Sequence, residues 1–208
     1  MDYQPLKYIY QASGSPEANT LLLLHGTGGS EHDLIPMGES FGTNINLLSV
    51  RGNVSEHGMP RFFKRLGMGI FDEQDLQFRS EELRDFILKL SVQEGFNPAK
   101  VIALGYSNGA NIAGALLVNY PGFLAGAILF RPMQPFKTLP EFNLVANTPL
   151  FLSSGHMDPT VDTGSTERYV NELANGGFDV HHEELPAGHN LIQQDIDLAK
   201  KWFIGRFA

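Results

Sequence analysis

Cysteine is absent from the 208-residue chain, which excludes disulfides, thiolate metal ligation and a cysteine nucleophile. Positive charge is scarce as well. Fifteen Lys and Arg stand against 23 Asp and Glu, and a net charge of −8 repels both a nucleic-acid backbone and an anionic membrane face, so neither is expected as a partner. No stretch reaches the ~18 consecutive apolar residues of a membrane span. Met1 to Gln11 include Asp2 and Lys7 and lack the unbroken apolar run of a secretory leader, so a cytoplasmic location without membrane insertion is expected. No Pro-rich, Ser-rich or charged linker divides the sequence, and no internal repeat or low-complexity tract is visible. With 42% hydrophobic and 18% charged residues, one globular domain over 1–208 is expected.

What is present is an alternation of two patterns. Leu21-Leu22-Leu23-Leu24, Val101-Ile102-Ala103-Leu104, Ala127-Ile128-Leu129-Phe130 and Leu150-Phe151-Leu152 are short apolar runs closed by Gly, Pro or Ser, the signature of strands buried on both faces. Ile45 to Val50 and Phe178 to Leu185 read as further strands, the latter polar on both faces and therefore near a sheet edge. Between them, Leu83, Phe86, Ile87 and Leu90 share one helical face, as do Ile192, Ile196, Ala199 and Phe203. Alternating strands and helices imply right-handed crossovers, a mostly parallel sheet covered by helices on both faces, and a ligand site at the carboxyl ends of the strands.

Gly105-Tyr106-Ser107-Asn108-Gly109 matches G-x-S-x-G, with a buried strand before it and the helix-forming stretch Ala110 to Val118 after it. The pattern alone is weak, and the context gives it meaning: a serine on a sharp strand-to-helix turn projects its hydroxyl from the sheet edge. A neutral serine hydroxyl is a poor nucleophile and needs a base within hydrogen-bond reach. Three histidines late in the chain compete for that role. His181 and His182 are neighbours in a strand and point to opposite faces, whereas His189 follows the strand in Ala187-Gly188-His189-Asn190, at the carboxyl end. His182 is the fallback, and His25 and His156 are read as structural.

A carboxylate must orient that imidazole, and Ser153-Ser154-Gly155-His156-Met157-Asp158-Pro159 supplies Asp158 after another strand. Asp162 is the nearest competitor, but its position fits the cap of the following helix better; the lesser alternative for Asp158 is a turn-forming role before Pro159. For an oxyanion, the N–H of Asn108 and the N–H of Thr27 in His25-Gly26-Thr27-Gly28-Gly29 are the expected donors, with Gly28 beside the substrate. This glycine-rich loop lacks the Lys-Ser/Thr end of a phosphate cradle, and neither metal nor organic cofactor is expected. The connection from Arg51 to Asp72 is too long for a simple turn, which suggests that Arg61, Phe62 and Phe63 line the substrate site. Arg61, Lys64 and Arg65 either meet an anionic group there or pair with acids such as Glu56 and Asp72. The connection from Arg131 to Asn147 is too short for a large lid.

With these residues in place the chain resembles, over nearly its whole length, the carboxylesterase/phospholipase family of α/β-hydrolases, which includes acyl-protein thioesterases and small bacterial carboxylesterases. The marks are Leu-Leu-His-Gly-Thr-Gly-Gly ending at Gly29, the elbow at Ser107, Gly155-His156-Met157-Asp158-Pro159 and Gly188-His189. The resemblance implies a triad of Ser107, Asp158 and His189 with Thr27 and Asn108 at the oxyanion. Acyl-protein thioesterases usually carry Gln where this chain has Asn108 and Asp where it has Gly29, which speaks against protein depalmitoylation, whereas the segment from Arg51-Gly52 through Arg61-Phe62-Phe63 to Phe71 resembles the bacterial carboxylesterase branch, in which it borders the active site. A small-molecule carboxylic ester, with a short acyl or aryl group, is the expected substrate. The same triad would serve a thioesterase or lysophospholipase, whereas a binding or sensor protein on this fold has no need of all three residues. A homodimer is left open.

Overall fold

The structure, a computed structural model, describes residues 5–142 and 147–207. The first four residues of the leader expectation and residues 143–146 of the Arg131 to Asn147 connection therefore lie outside the described residues.

Seven strands form one sheet: β1 (Tyr8–Gln11), β2 (Asn19–Leu24), β3 (Ile45–Val50), β8 (Val101–Tyr106), β9 (Gly126–Phe130), β10 (Pro149–Gly155) and β11 (Asp179–Leu185). Their order is β1-β3-β2-β8-β9-β10-β11, parallel throughout except for β1, which pairs antiparallel with β3. The apolar runs became these strands because a central parallel strand is covered on both faces. In β2, Leu22 and Leu24 join one core with Leu48, Ala103 and Leu129, while Leu21 and Leu23 join a second core with Leu47, Ile102, Leu104 and Ile128 on the opposite face. Each of the four β2 leucines is fully buried, worth roughly 1.5–3 kcal/mol apiece.

Helices α2 (Glu73–Glu94), α3 (Asn108–Asn119) and α4 (Thr163–Asn175) close the first core, and α1 (Ile35–Glu39) and α5 (Gln193–Phe207) lie on the side of the second. On α2, Leu83, Ile87 and Leu90 are buried along the expected face, and Asp72 caps its start by accepting from Asp75 N–H at 3.1 Å. Asp162 caps α4 in the same way, accepting from Ser165 N–H at 2.8 Å. On α5 the burial centres on Asp195, Ala199, Trp202 and Phe203, and Ile192 precedes the helix and is exposed.

The long connection after β3 folds into two small hairpins, β4 (Val54–Glu56) with β5 (Met59–Arg61), and β6 (Arg65–Gly67) with β7 (Ile70–Phe71). This is a single-domain α/β fold, and among the described residues no large lid covers the carboxyl ends of the strands. Nor is any helix among them long and apolar enough to cross a membrane.

Candidate active site

Ser107 stands between β8 and α3 with φ 52° and ψ −111°, a strained backbone for a residue with a Cβ. Its amide donates to Phe130 O at 2.9 Å, and its carbonyl accepts from Asn111 N–H at 2.9 Å. The turn is possible only with glycine at both flanks. A Cβ on Gly105 would come within 2.5 Å of Gly109 O, and one on Gly109 within 1.9 Å of Leu24 O. The helix thus starts directly against the end of β2, bringing Ser107 beside the loop that holds Thr27.

The loops after β10 and β11 run side by side. His156 N–H donates to Leu185 O at 2.8 Å and Met157 N–H to Ala187 O at 3.0 Å, so Asp158 and His189 arrive together. His189 Nδ1 lies 2.7 Å from Asp158 Oδ2, and His189 Nε2 lies 2.9 Å from Ser107 Oγ. A carboxylate only accepts, so Nδ1 carries the proton and Nε2 is free to accept the serine's. Asp158 has its side chain 1% exposed. Burial pushes its carboxyl up, but hydrogen bonds from Thr160 and His189 outweigh this and hold it below the ordinary Asp value.

Asp158 meets both the imidazole and the turn, each through a different oxygen. Oδ2 meets His189, while Oδ1 closes a turn by accepting from Thr160 N–H at 2.8 Å and Thr160 Oγ1–H at 2.6 Å. Thr160 Oγ1 also lies 2.8 Å from His189 Nδ1, where it can accept a share of the same proton. The sequence offers one signal for Thr160 at this position, the turn-forming Asp158-Pro159-Thr160 run.

The expected oxyanion residues are held by the hairpin segment. Arg61 Nη1 donates to Thr27 Oγ1 at 2.6 Å, Gly28 N–H donates to Pro60 O at 2.9 Å, and Phe62 N–H donates to Asn108 Oδ1 at 2.8 Å. This requires a correction to the expected lining. Phe62 and Phe63 are 4% and 0% exposed and belong to the first core, and Phe63 stacks edge-on with Phe71, so their rings pack instead of facing a substrate. Arg61 is likewise 3% exposed; burial lowers its pKa, and Glu56 lies 3.6 Å away in partial compensation. Arg65 pairs with Glu56 at 2.8 Å and Lys64 stands 3.9 Å from Asp75, so these cations follow the ion-pair reading.

His182 Nε2 meets Ser154 Oγ at 2.8 Å, and His25 bridges Gly26 O at 2.6 Å and Gly52 N–H at 3.0 Å. Both are therefore engaged away from the serine. Beside Asp158, Thr160 forms part of the wall of a cavity of about 440 Å³, whose lining sets apolar Ile70, Phe71, Met133, Phe136 and Val161 among charged Glu73, Lys137, Asp162, Arg168 and Glu172 and does not include Ser107 or His189. Among the described residues no group of three or more His, Asp or Glu side chains has the geometry to hold a metal ion.

The arrangement matches known proteins along nearly its whole length. Residues 8–204 fit the phospholipase/carboxylesterase family profile. MhqD of Bacillus subtilis (strain 168), named as a hydrolase, is 44% identical over 198 residues, covering 95% of this chain and 98% of that protein. The crystal structure of a Bacillus cereus carboxylesterase superposes with a TM-score of 0.94 at 41% identity, covering 97% of this chain and 95% of that one. A carboxylesterase from Mesorhizobium loti superposes with a TM-score of 0.89 at 26% identity, covering 96% of this chain and 95% of its own.

Proposed function

Since this chain belongs to the phospholipase/carboxylesterase family of hydrolases, we propose that it cleaves small carboxylic esters through an acyl-enzyme on Ser107, with His189 as general base and Asp158 as its orienting acid. The observation that carries this reading is the unbroken contact series from Asp158 Oδ2 through His189 to Ser107 Oγ, 2.7 and 2.9 Å, on a serine held at φ 52°.

In the first step Ser107 Oγ bonds to the ester carbonyl carbon while its proton passes to His189 Nε2. Negative charge builds on the carbonyl oxygen, where the N–H groups of Thr27 and Asn108 are the proposed donors. Removing one such donor from an oxyanion site typically costs about 100- to 1,000-fold in kcat. The tetrahedral centre then collapses, the bond to the alkoxy oxygen breaks, and His189 returns the proton to the departing alcohol. Water repeats the sequence on the acyl-enzyme, releasing the acid and restoring the serine.

Support for small esters comes from the lack of a large lid among the described residues and from the cavity bordered by Thr160. At about 440 Å³ it is of small-ligand size; its wall sets Ile70, Phe71, Met133, Phe136 and Val161 beside the charged Glu73, Lys137, Asp162, Arg168 and Glu172, and it adjoins the triad through Thr160, with Ser107 and His189 outside its lining.

The test is labelling with a fluorophosphonate probe, followed by a panel of p-nitrophenyl esters of increasing acyl length. Wild type is expected to label, Ser107→Ala to stay unlabelled, and turnover to fall as the acyl chain lengthens. Faster turnover of a matched thioester would shift the assignment to a thioesterase. Folded wild-type protein that neither labels nor turns over any ester would make the fold a binding module instead.

A further inference from the structure

Tyr106 and Arg131 take no part in the chemistry above, yet both aim their polar atoms at the same three residues. Arg131 Nε donates to Gly188 O at 3.0 Å, Tyr106 OH donates to His189 O at 3.1 Å, and Arg131 Nη2 donates to Asn190 O at 3.3 Å. Three consecutive carbonyls of the loop that carries the general base are thus held from below.

The guanidinium itself is fixed on every side. Nη1 donates to Ser153 Oγ at 2.9 Å and to Asp195 Oδ1 at 2.7 Å, and Nη2 donates to Asp195 Oδ2 at 2.8 Å. With the two loop carbonyls, all five of its N–H donors are used. Asp195 is saturated in turn, accepting also from Ser153 Oγ at 2.6 Å and from Ile192 N–H at 2.9 Å. Both side chains of this ion pair are 0% exposed, and Arg131 adopts φ 53° to reach inward from the end of β9.

A buried ion pair is a poor device for stability alone, because an apolar replacement of similar volume is often neutral or better. A general base has a stricter need. It must stay within hydrogen-bond reach of its nucleophile, and a displacement of about 1 Å costs on the order of 100-fold in rate. Loops relax by default. We infer that Tyr106 and Arg131, the latter locked by Ser153 and Asp195, are positioning residues that clamp Gly188, His189 and Asn190 and so set the His189 to Ser107 distance. The inference rests on His189 acting as the base.

Three variants test it: Tyr106→Phe, which removes one hydroxyl; Arg131→Lys, which keeps the charge and loses the fork; and Arg131→Met with Asp195→Leu, which removes the pair together. For each, kcat and KM on p-nitrophenyl acetate, the Tm, and the low-field proton NMR signal of His189 Nδ1–H are measured, the signal being identified by its loss in His189→Gln. Tyr106→Phe is expected to lower kcat about 5-fold and the double variant about 100-fold, with KM within about 2-fold. Arg131→Lys falls between them, and the Nδ1–H signal shifts or broadens in all three. Folded variants with wild-type kcat and an unmoved signal would overturn the clamp, as would a drop in Tm alone. Tyr106→Phe decides the matter if the double variant does not fold. The proton signal needs no turnover, so a wild type inert toward esters would sink the proposed function while the signal still judges the clamp.

Discussion

Arg61 Nη1 donates to Thr27 Oγ1 at 2.6 Å, joining a buried cation on the β5 hairpin strand to the loop that follows β2. The neighbouring bond from Gly28 N–H to Pro60 O, 2.9 Å, ties the same two segments backbone to backbone. An oxyanion donor must already be in place when charge develops, so, on the proposed role of Thr27 N–H, loosening this loop lowers the rate even though the N–H remains. Arg61→Met is therefore expected to lower kcat on p-nitrophenyl acetate about 10-fold with KM little changed. The loss of fold stability stays near 1–2 kcal/mol, because Glu56 keeps Arg65 as a partner at 2.8 Å. Unaltered kcat in Arg61→Met would detach the hairpin from the chemistry.

The elbow makes a sharper demand. A methyl on Gly109 would lie 1.9 Å from Leu24 O and 2.7 Å from His25 O, both backbone atoms that cannot rotate away. Gly109→Ala is expected to cost about 3 kcal/mol or more, or to prevent folding, by urea denaturation. Gly205, in α5, is the control, since nothing lies within 4 Å of a Cβ there. Gly205→Ala is expected to gain about 0.5–1 kcal/mol from helix propensity. Equal effects from the two changes would remove the case for close packing at the elbow.

The contrast between these glycines also marks what a sequence can carry. Ser107, Asp158 and His189 are open to reading because Ser107 directly follows β8 and the other two stand in the short loops after β10 and β11, strands that announce themselves by apolar runs or by their position in the alternation. The structure places His189 2.7 Å from Asp158 Oδ2 on one side and 2.9 Å from Ser107 Oγ on the other. Tyr8–Gln11 was not read as a strand: it is a short antiparallel edge whose partners Leu47 to Val50 belong to a run recognised for other reasons. The β4 to β7 hairpins have strands of two or three residues, too short for any periodicity to register. Phe62 and Phe63 were misassigned because an aromatic in a connection carries no sign of which way it turns. Arg131 meets the histidine loop across a separation of 57 positions and Tyr106 across 83, and no local pattern encodes such a meeting.

Stability is expected to decline as pH falls from about 6.5, before any carboxylate titrates. Burial holds His25 below its ordinary pKa despite its bond to Gly26, and burial does the same to His182 against the pull of Glu184 and Glu183. Between the lowered folded value and the unfolded value of about 6.5, the unfolded chain binds more protons. The contribution is thus complete above that unfolded value and is lost as pH drops through the folded ones. A proton on His25 Nε2 would also take away the acceptor for Gly52 N–H, 3.0 Å away, at the start of the hairpin excursion. Urea midpoints from pH 8 to pH 5 measure the slope, and His182→Gln is expected to flatten it in part. A midpoint that does not change over this range would refute the assignment.

Tyr169 offers a test in the opposite direction. The residue is 1% exposed, its hydroxyl has no hydrogen-bond partner among the described residues, and burial drives its pKa far above the ordinary tyrosine value. A buried donor without a partner loses its bonds to water and gains nothing in return. Tyr169→Phe, which keeps the ring in the first core, is expected to raise stability by about 1 kcal/mol, read as a higher urea midpoint at constant slope. A loss of that size would mean that the hydroxyl has a partner.

Thr160 separates the acid arm's geometry from its charge. The hydroxyl donates to Asp158 Oδ1 at 2.6 Å and stands 2.8 Å from His189 Nδ1, while its amide makes a second bond to the same carboxylate oxygen. Thr160→Val keeps the shape and the amide bond and deletes only the hydroxyl. Asp158 then moves back toward the ordinary Asp value, and the stability its depressed pKa confers above about 3.9 shrinks accordingly. Near pH 7 the carboxylate stays ionised in either protein, so any change in rate there reports orientation of the imidazole. Because Thr160 is exposed, the hydroxyl is expected to be worth about 3- to 10-fold in kcat, with KM nearly constant. A Thr160→Val enzyme as fast as wild type at pH 7 would show that Asp158 orients His189 unaided.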